Sequence, residues 1–337
     1  MRALLARYPR LAETLPWVDL GVRQTPVEWW RVGETTLLAK RDDLSASTLG
    51  GNKVRALELL LAGVQPGHRL LTVGPTGSTH ALAVAAHGAL LGARTRVITW
   101  PQEGHAIADA TGRRLRELAD VTAARSVAEA YLLAAVRRLA GGPRWIPAGG
   151  SVPLGALGHV DAALELAEQL TSMRLPRPDL VVAPLGSGGT VAGLLAGLAV
   201  AELPMRVVGV RVVPRVVATR RRVLRLAART HALLGRLAGA TLPPLDVGAL
   251  EIEQEHYGGA YGRETSAGQT AATALADAGG PRLDGTYSAK AFGVALERAR
   301  LVPDERVLFW LTFDARWLTR GNIMPKVPRP DPSPSSR

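Results

Sequence analysis

At 337 residues, with 47% hydrophobic and 21% charged side chains, the chain can bury a large core and is long enough for two domains. It has no apolar run long enough to cross a bilayer, and its lack of cysteine excludes disulfides, thiolate metal sites and a cysteine nucleophile. Most of the net charge of +12 comes from Arg206–Arg236, where nine arginines stand without an acidic residue; no aromatic residues interleave them, so this stretch predicts a solvated amphipathic helix rather than a nucleic-acid surface.

The N-terminal residues lack an apolar core followed by a small-residue cleavage site, which with the absent cysteines predicts a cytoplasmic protein. Along the chain, short apolar or β-branched runs predict strands at 36–38, 70–73, 95–100, 145–146, 180–183, 207–213 and 307–312. Alanine- and leucine-rich stretches with helical spacing lie between them, at 53–62, 80–91, 105–118, 127–139, 156–170, 191–201, 216–237, 266–278 and 289–298. Strand, glycine loop and helix in repetition predict an α/β architecture with mostly parallel sheets. Trp310 and Trp317 near the last strand are expected in a core or interface, and the proline- and serine-rich residues 325–337 are expected to be disordered.

Lysine is scarce: Lys40, Lys53, Lys290 and Lys326 are four of 41 basic residues. Lys53 follows two glycines and opens a helix in Gly50-Gly51-Asn52-Lys53-Val54-Arg55. Arginine stays protonated, whereas a desolvated lysine can lose its proton and form a Schiff base with an aldehyde, so Lys53 is a candidate to hold a carbonyl cofactor. A solvated first-turn lysine is the ordinary alternative. Gly186-Ser187-Gly188-Gly189-Thr190, between a strand and a helix, offers free N–H groups, two hydroxyls and a positive helix end to a phosphate. It lacks the lysine of a nucleotide P-loop and the spacing of a dinucleotide fingerprint. Gly74–His80 sets Ser78, Thr79 and His80 at another helix start, where a carboxylate could bind and Ser78 or His80 could move a proton; simple helix capping is the alternative. Tyr261 and Tyr287 sit beside glycine in an aromatic-poor chain.

In this order the motifs resemble one family, the 1-aminocyclopropane-1-carboxylate deaminases and D-cysteine desulfhydrases, within the tryptophan-synthase-β-like (fold type II) pyridoxal-phosphate enzymes. The resemblance runs from about Pro26 to Thr312 through Lys40–Leu44, Gly50–Arg55, Gly77–His80, Ile146–Ser151, Leu154–Gly158, Gly186–Thr190, Tyr261-Gly262 and Tyr287–Ala291. It implies two open, twisted, mostly parallel sheets flanked by helices. Residues 1–50 and 166–324 would form a larger cofactor-binding domain, and 51–165 a smaller inserted one. It also implies pyridoxal 5'-phosphate as cofactor, no metal, a small amino-acid substrate and a homodimer.

By the same resemblance Lys53 holds the cofactor and shuttles protons. Asn52 and Thr79 contact the cofactor, and Gly186, Ser187, Gly188, Gly189 and Thr190 hold its phosphate. Ser78, Thr79, His80 and Tyr261 meet the substrate, with Ser78, Tyr261 and Tyr287 taking part in catalysis. Ser288 faces the pyridine nitrogen, where the deaminase-like pattern has glutamate; a hydroxyl there favours β-elimination of D-cysteine to pyruvate, ammonia and sulfide over cyclopropane opening. Thr79 and Val152 stand where the family pattern has asparagine, and Thr312-Phe313-Asp314 where it has Thr-Gly-Gly. A deaminase-like reaction, or a cofactor-binding protein without turnover, remain the alternatives.

Overall fold

The computed structural model describes residues 2–103, 106–139, 142–313 and 316. Helices α1 (Ala3–Arg7) and α2 (Leu11–Thr14) lead into strands β1 (Val27–Val32) and β2 (Thr35–Lys40). After α3 (Asn52–Leu60) the chain alternates through β3 (Arg69–Pro75), α4 (Thr79–Leu90), β4 (Arg94–Trp100), α5 (Ala106–Leu118), β5 (Asp120–Ala123), α6 (Val127–Leu139) and β6 (Arg144–Trp145). Then come α7 (Pro153–Ser172), β7 (Leu180–Leu185), α8 (Gly189–Val200), β8 (Arg206–Arg211), α9 (Arg220–Ala238), β9 (Leu250–Glu253), α10 (Ser266–Asp277), α11 (Ser288–Leu301) and β10 (Val307–Trp310).

The strands form a six-stranded sheet, β1-β2-β10-β7-β8-β9, and a four-stranded sheet, β5-β4-β3-β6. Every named pairing is parallel except β1 with β2. Parallel strands covered on both faces read as continuous apolar runs, as in β7, whose six residues are all buried. Helix α8 is apolar nearly all round because it is packed on all sides, against α7, α9, β7 and β8. Helix α9 keeps the amphipathic pattern: Val223, Ala227, Thr230, Leu234 and Ala238 are buried while its arginines face solvent.

Parallel strands bring their C-terminal ends to one edge, where ligands bind in such sheets. From these ends β3 runs into the Gly74–His80 loop, β4 into Pro101–Glu103, β7 into Gly186–Thr190 and β10 into Thr312-Phe313. Among the described residues no helix is long and apolar enough to cross a membrane. Trp310 is fully buried. Asp314, Trp317 and residues 325–337 lie outside the described residues.

Candidate active site

Lys53 is held from two sides. In front, the Asn52 N–H donates to the Thr312 carbonyl (3.0 Å) and Gly51 bridges Phe313, so the start of α3 is stitched to the end of β10. Behind, Arg55 is 1% exposed and donates to Asp42 Oδ1 (2.6 Å) and Glu165 Oε2 (3.1 Å). Lys40 Nζ reaches Glu165 Oε1 (2.5 Å), Gln169 Oε1 (2.5 Å) and the Thr25 carbonyl (2.8 Å). Further along α3, Glu58 accepts from Trp17 Nε1 (2.9 Å) and Leu20 N–H (3.1 Å) and pairs with Arg2. Gly158 lets α7 approach α3 closely, since a Cβ there would stand 2.2 Å from the Arg55 carbonyl.

The three described lysines differ in partners. Lys40 has its acidic network, and Lys290 donates to the Tyr257 carbonyl (2.7 Å). Lys53 has no hydrogen bond or ion pair among the described residues and lines a cavity of about 590 Å³. Burial pushes its pKa down to about 8, so the amine is readily freed of its proton.

Gly188 ends β7's loop with φ 94°, a left-handed conformation that favours glycine, and caps α8, whose first turn carries no acidic residue. Ser151 reaches in from the turn before α7: its hydroxyl donates to Ser187 Oγ (2.6 Å) and accepts from the Gly189 N–H (3.0 Å). Asn52 Nδ2 donates to Thr190 Oγ1 (2.8 Å), which lies 3.5 Å from His159 Nε2. Ser151 closes the glycine turn Gly149-Gly150 after β6, within a motif segment that carries no site role in the sequence reading, and His159 lies inside α7, away from any glycine loop; neither is named as a site residue from the sequence.

On the four-stranded side, Ser78 caps α4 by accepting from the Ala81 N–H (3.1 Å). His80 is buried, lines the cavity and has no partner at Nε2. Burial, with the nearby Lys53 charge, pushes its pKa down to about 3, so it is neutral at working pH. The Tyr261 and Tyr287 hydroxyls bond to each other, with their rings 6.0 Å apart and edge-on. Burial raises Tyr261 to about 12 and Tyr287 well above its ordinary value, so both remain neutral donors. Asp284 fixes this corner by accepting backbone N–H bonds from Thr286 (3.1 Å), Tyr287 (2.7 Å) and Ser288 (3.0 Å).

Asn52, Lys53, Ser78, Thr79, His80, the whole of Gly186–Thr190, Tyr261 and Tyr287 all line the one cavity. Ser288 does not: it is fully buried at the start of α11, next to the wall residue Tyr287. Phe313 joins the lining through the bridge to Gly51, and Val152 is the N-cap of α7, outside the lining. Trp100, Gln102, Tyr131 and Arg222 also line the cavity and have no counterpart in the motif reading. At its rim Arg263 grips Glu103 with both ends of its guanidinium (2.6 and 3.2 Å).

The buried imidazoles make the fold acid-sensitive. His80 and His159 are held near 3 and His87 near 4, all by burial first, against an ordinary value of 6.5. Below pH 6.5 the unfolded chain gains protons that the folded chain refuses, so stability is full above 6.5 and falls as pH drops toward 4. Each imidazole contributes a slope of about 1.4 kcal/mol per pH unit. Urea midpoints of the apoprotein at pH 7.5, 6 and 5 are expected to fall in that order; constant midpoints would refute the burial argument.

The residues present fit a phosphorylated aldehyde cofactor. A desolvated amine stands in the same cavity as an uncompensated helix N-terminus lined by N–H groups and hydroxyls, with neutral tyrosines on the wall. Two mostly parallel sheets flanked by helices around such a lysine define a fold type II pyridoxal-phosphate enzyme. The chain belongs to the pyridoxal-phosphate dependent enzyme family, whose model matches residues 18–312. It is 33% identical to nocardicin C-9' epimerase of Nocardia uniformis subsp. tsuyamanensis, covering 93% of this chain and 96% of the relative. It is 31% identical to a putative 1-aminocyclopropane-1-carboxylate deaminase of Pyrococcus abyssi, over 88% of this chain and 89% of that one. A D-cysteine desulfhydrase of Serratia proteamaculans is 32% identical over 90% of this chain and 93% of its own length. The solved structure of an ACC deaminase homologue superposes with a TM-score of 0.73 at 25% identity, covering 94% of this chain and 95% of that one. The deaminase and desulfhydrase family read from the motifs is thus the one these relatives represent. The epimerase among them was not anticipated from sequence.

Proposed function

We propose that this chain is a lyase that removes the Cα proton of a small amino acid and expels a sulfur substituent from Cβ, as in the conversion of D-cysteine and water to pyruvate, ammonia and hydrogen sulfide. The observation that carries this reading is the state of Lys53: partnerless, desolvated, its pKa near 8, and facing the same cavity as the α8 N-terminus. Bound pyridoxal phosphate supplies an electron sink for the charge that develops at Cα. Lys53 holds the cofactor and, once released beside the substrate, is the base that takes the Cα proton.

The other roles follow from what each side chain has left to offer. Gly186–Thr190 and the α8 N-terminus take the phosphate, with Asn52 steadying Thr190. The N–H groups at the start of α4, with Thr79, take the substrate carboxylate, and the cap bond of Ser78 keeps them aimed. Neutral His80 leaves Nε2 available to a ligand. The Tyr261–Tyr287 pair offers a hydroxyl proton to the departing group. Ser288 lies outside the cavity lining, so the assignment of its hydroxyl to the pyridine nitrogen, and the preference for elimination over ring opening that goes with it, rest on the family pattern alone. We assign residues 1–50 and 166–324 to the larger domain and 51–165 to the smaller, and expect a cytoplasmic homodimer.

A second reading is inversion at Cα, favoured by the 33% identity to nocardicin C-9' epimerase. It uses the same proton removal but breaks no bond at Cβ. The deciding experiment supplies D-cysteine to the cofactor-loaded protein in D₂O. A shift of the cofactor's visible band with pyruvate accumulating supports elimination. Deuterium at Cα without pyruvate supports inversion, and neither outcome for any amino acid tried refutes both.

A further inference from the structure

One wall of the cavity is more aromatic than cysteine itself requires. Only 4% of the chain is aromatic, yet Trp100 and Tyr131 stack with centroids 6.3 Å apart and Tyr131 meets Trp145 edge-on at 6.4 Å. Trp100 and Tyr131 both line the cavity, with Val127 one turn before Tyr131 on α6. Tyr131 remains 44% exposed and Val127 49% exposed, so the wall presents wet apolar surface inside a concave site.

This wall is tied to the substrate end of the site. The Thr76 N–H and hydroxyl both donate to the Trp100 carbonyl (3.0 Å each), and the Gly77 N–H donates to Gln102 Oε1 (3.3 Å). The backbone of Trp100 is therefore tied to the loop that carries Ser78, and the ring is held by its stacking on Tyr131. The polar neighbours are Gln102 and Glu103, and Glu103 is engaged by Arg263. Among the described residues, the cations beside this wall are already engaged or outside the lining: Arg263 holds Glu103, and Arg138 stacks on Trp145 (5.4 Å), while Arg222 lines the cavity from α9.

Resting on the elimination reading, we propose that the substrate class is cysteine S-substituted with a neutral aromatic or bulky alkyl group, which packs on Trp100 and Tyr131. The stoichiometry balances without an oxidant. The Cα–H bond breaks with its proton passing to Lys53, and the Cβ–S bond breaks with its electron pair leaving on sulfur. The thiolate takes up a proton, and water completes the products: a thiol, pyruvate and ammonium.

The test compares S-benzyl-cysteine with cysteine, each as both enantiomers, on the cofactor-loaded protein. It reads pyruvate formation as kcat/KM and binding as the dissociation constant from the cofactor's absorbance. S-benzyl-cysteine is expected to be preferred by tenfold or more on both measures. Tyr131→Ala is expected to cut that preference about tenfold, with Tyr131→Phe restoring it. Pyruvate from both substrates without preference overturns the inference and leaves the elimination reading standing. A Tyr131-dependent binding preference without pyruvate from either sustains the aromatic seat and overturns elimination. A cofactor band that neither ligand perturbs overturns both.

Discussion

Lys53→Ala is expected to abolish the visible absorbance that pyridoxal phosphate gains on binding this protein and to lower turnover by about 10³-fold or more. Lys53 is the described lysine whose amine faces the cavity without a partner, while Lys40 and Lys290 spend theirs on fixed acceptors. Lys53→Arg should fail as completely, because a guanidinium keeps its proton and cannot condense with an aldehyde. Lys290→Gln is the control: it removes a lysine with a similar downward shift to about 8 and should cost stability while preserving the band. A Lys53→Ala protein that keeps the band would place the cofactor on another lysine and dismantle the proposed site.

Glu165→Ala is expected to destabilise the fold by about 3–5 kcal/mol, the range for breaking a buried ion pair from one side. Burial would raise this carboxyl, but Arg55 and then Lys40 outweigh it and hold its pKa near 2. Its loss leaves the Lys40 ammonium, which is fully buried, with only Gln169 and the Thr25 carbonyl as hydrogen-bond acceptors. Arg55 would retain Asp42 as its close partner. Urea unfolding of the apoprotein reads the loss directly. A change below 1 kcal/mol would mean that water or a local shift compensates, and that the network does not rigidify α3. Because Glu165 touches nothing in the cavity, any loss of cofactor affinity in this variant must pass through the position of Lys53.

The interior strands of the fold were legible in sequence, and of the four edge strands only β6 was. The strands that went unpredicted, β1, β5 and β9, are each the last strand of a sheet. Val27–Val32 mixes buried and exposed residues without clean alternation, and Asp120–Ala123 is half-exposed throughout. Such segments are strands because a neighbour pairs with them, not because their own pattern demands it. Helix α9 begins at Arg220 rather than at 216 because Thr219 caps it by accepting from the Arg222 N–H (3.2 Å), leaving Val216 exposed before the cap.

The site divides in the same way. Glycine loops after strands announce themselves by composition, so Lys53, Ser78–His80 and Gly186–Thr190 could be picked out one by one. The aromatic wall could not, since Trp100 ends a strand and Tyr131 rides mid-helix, and only folding makes them neighbours. Asp284 was passed over because its work is done on backbone N–H groups, which leave no trace in side-chain pattern.

The Glu103–Arg263 clasp spans residues 160 apart in sequence, one after β4 of the smaller sheet and the other after the Tyr261-Gly262 turn. Both partners are half exposed, so water and dissolved ions compete for each of them. The mouth of the cavity is therefore fastened by a contact that dissolved salt loosens, whereas the floor beneath Lys53 is fastened by charges that salt cannot reach. Added salt is therefore expected to loosen the Glu103–Arg263 contact while leaving the buried network around Arg55 and Lys40 as it is.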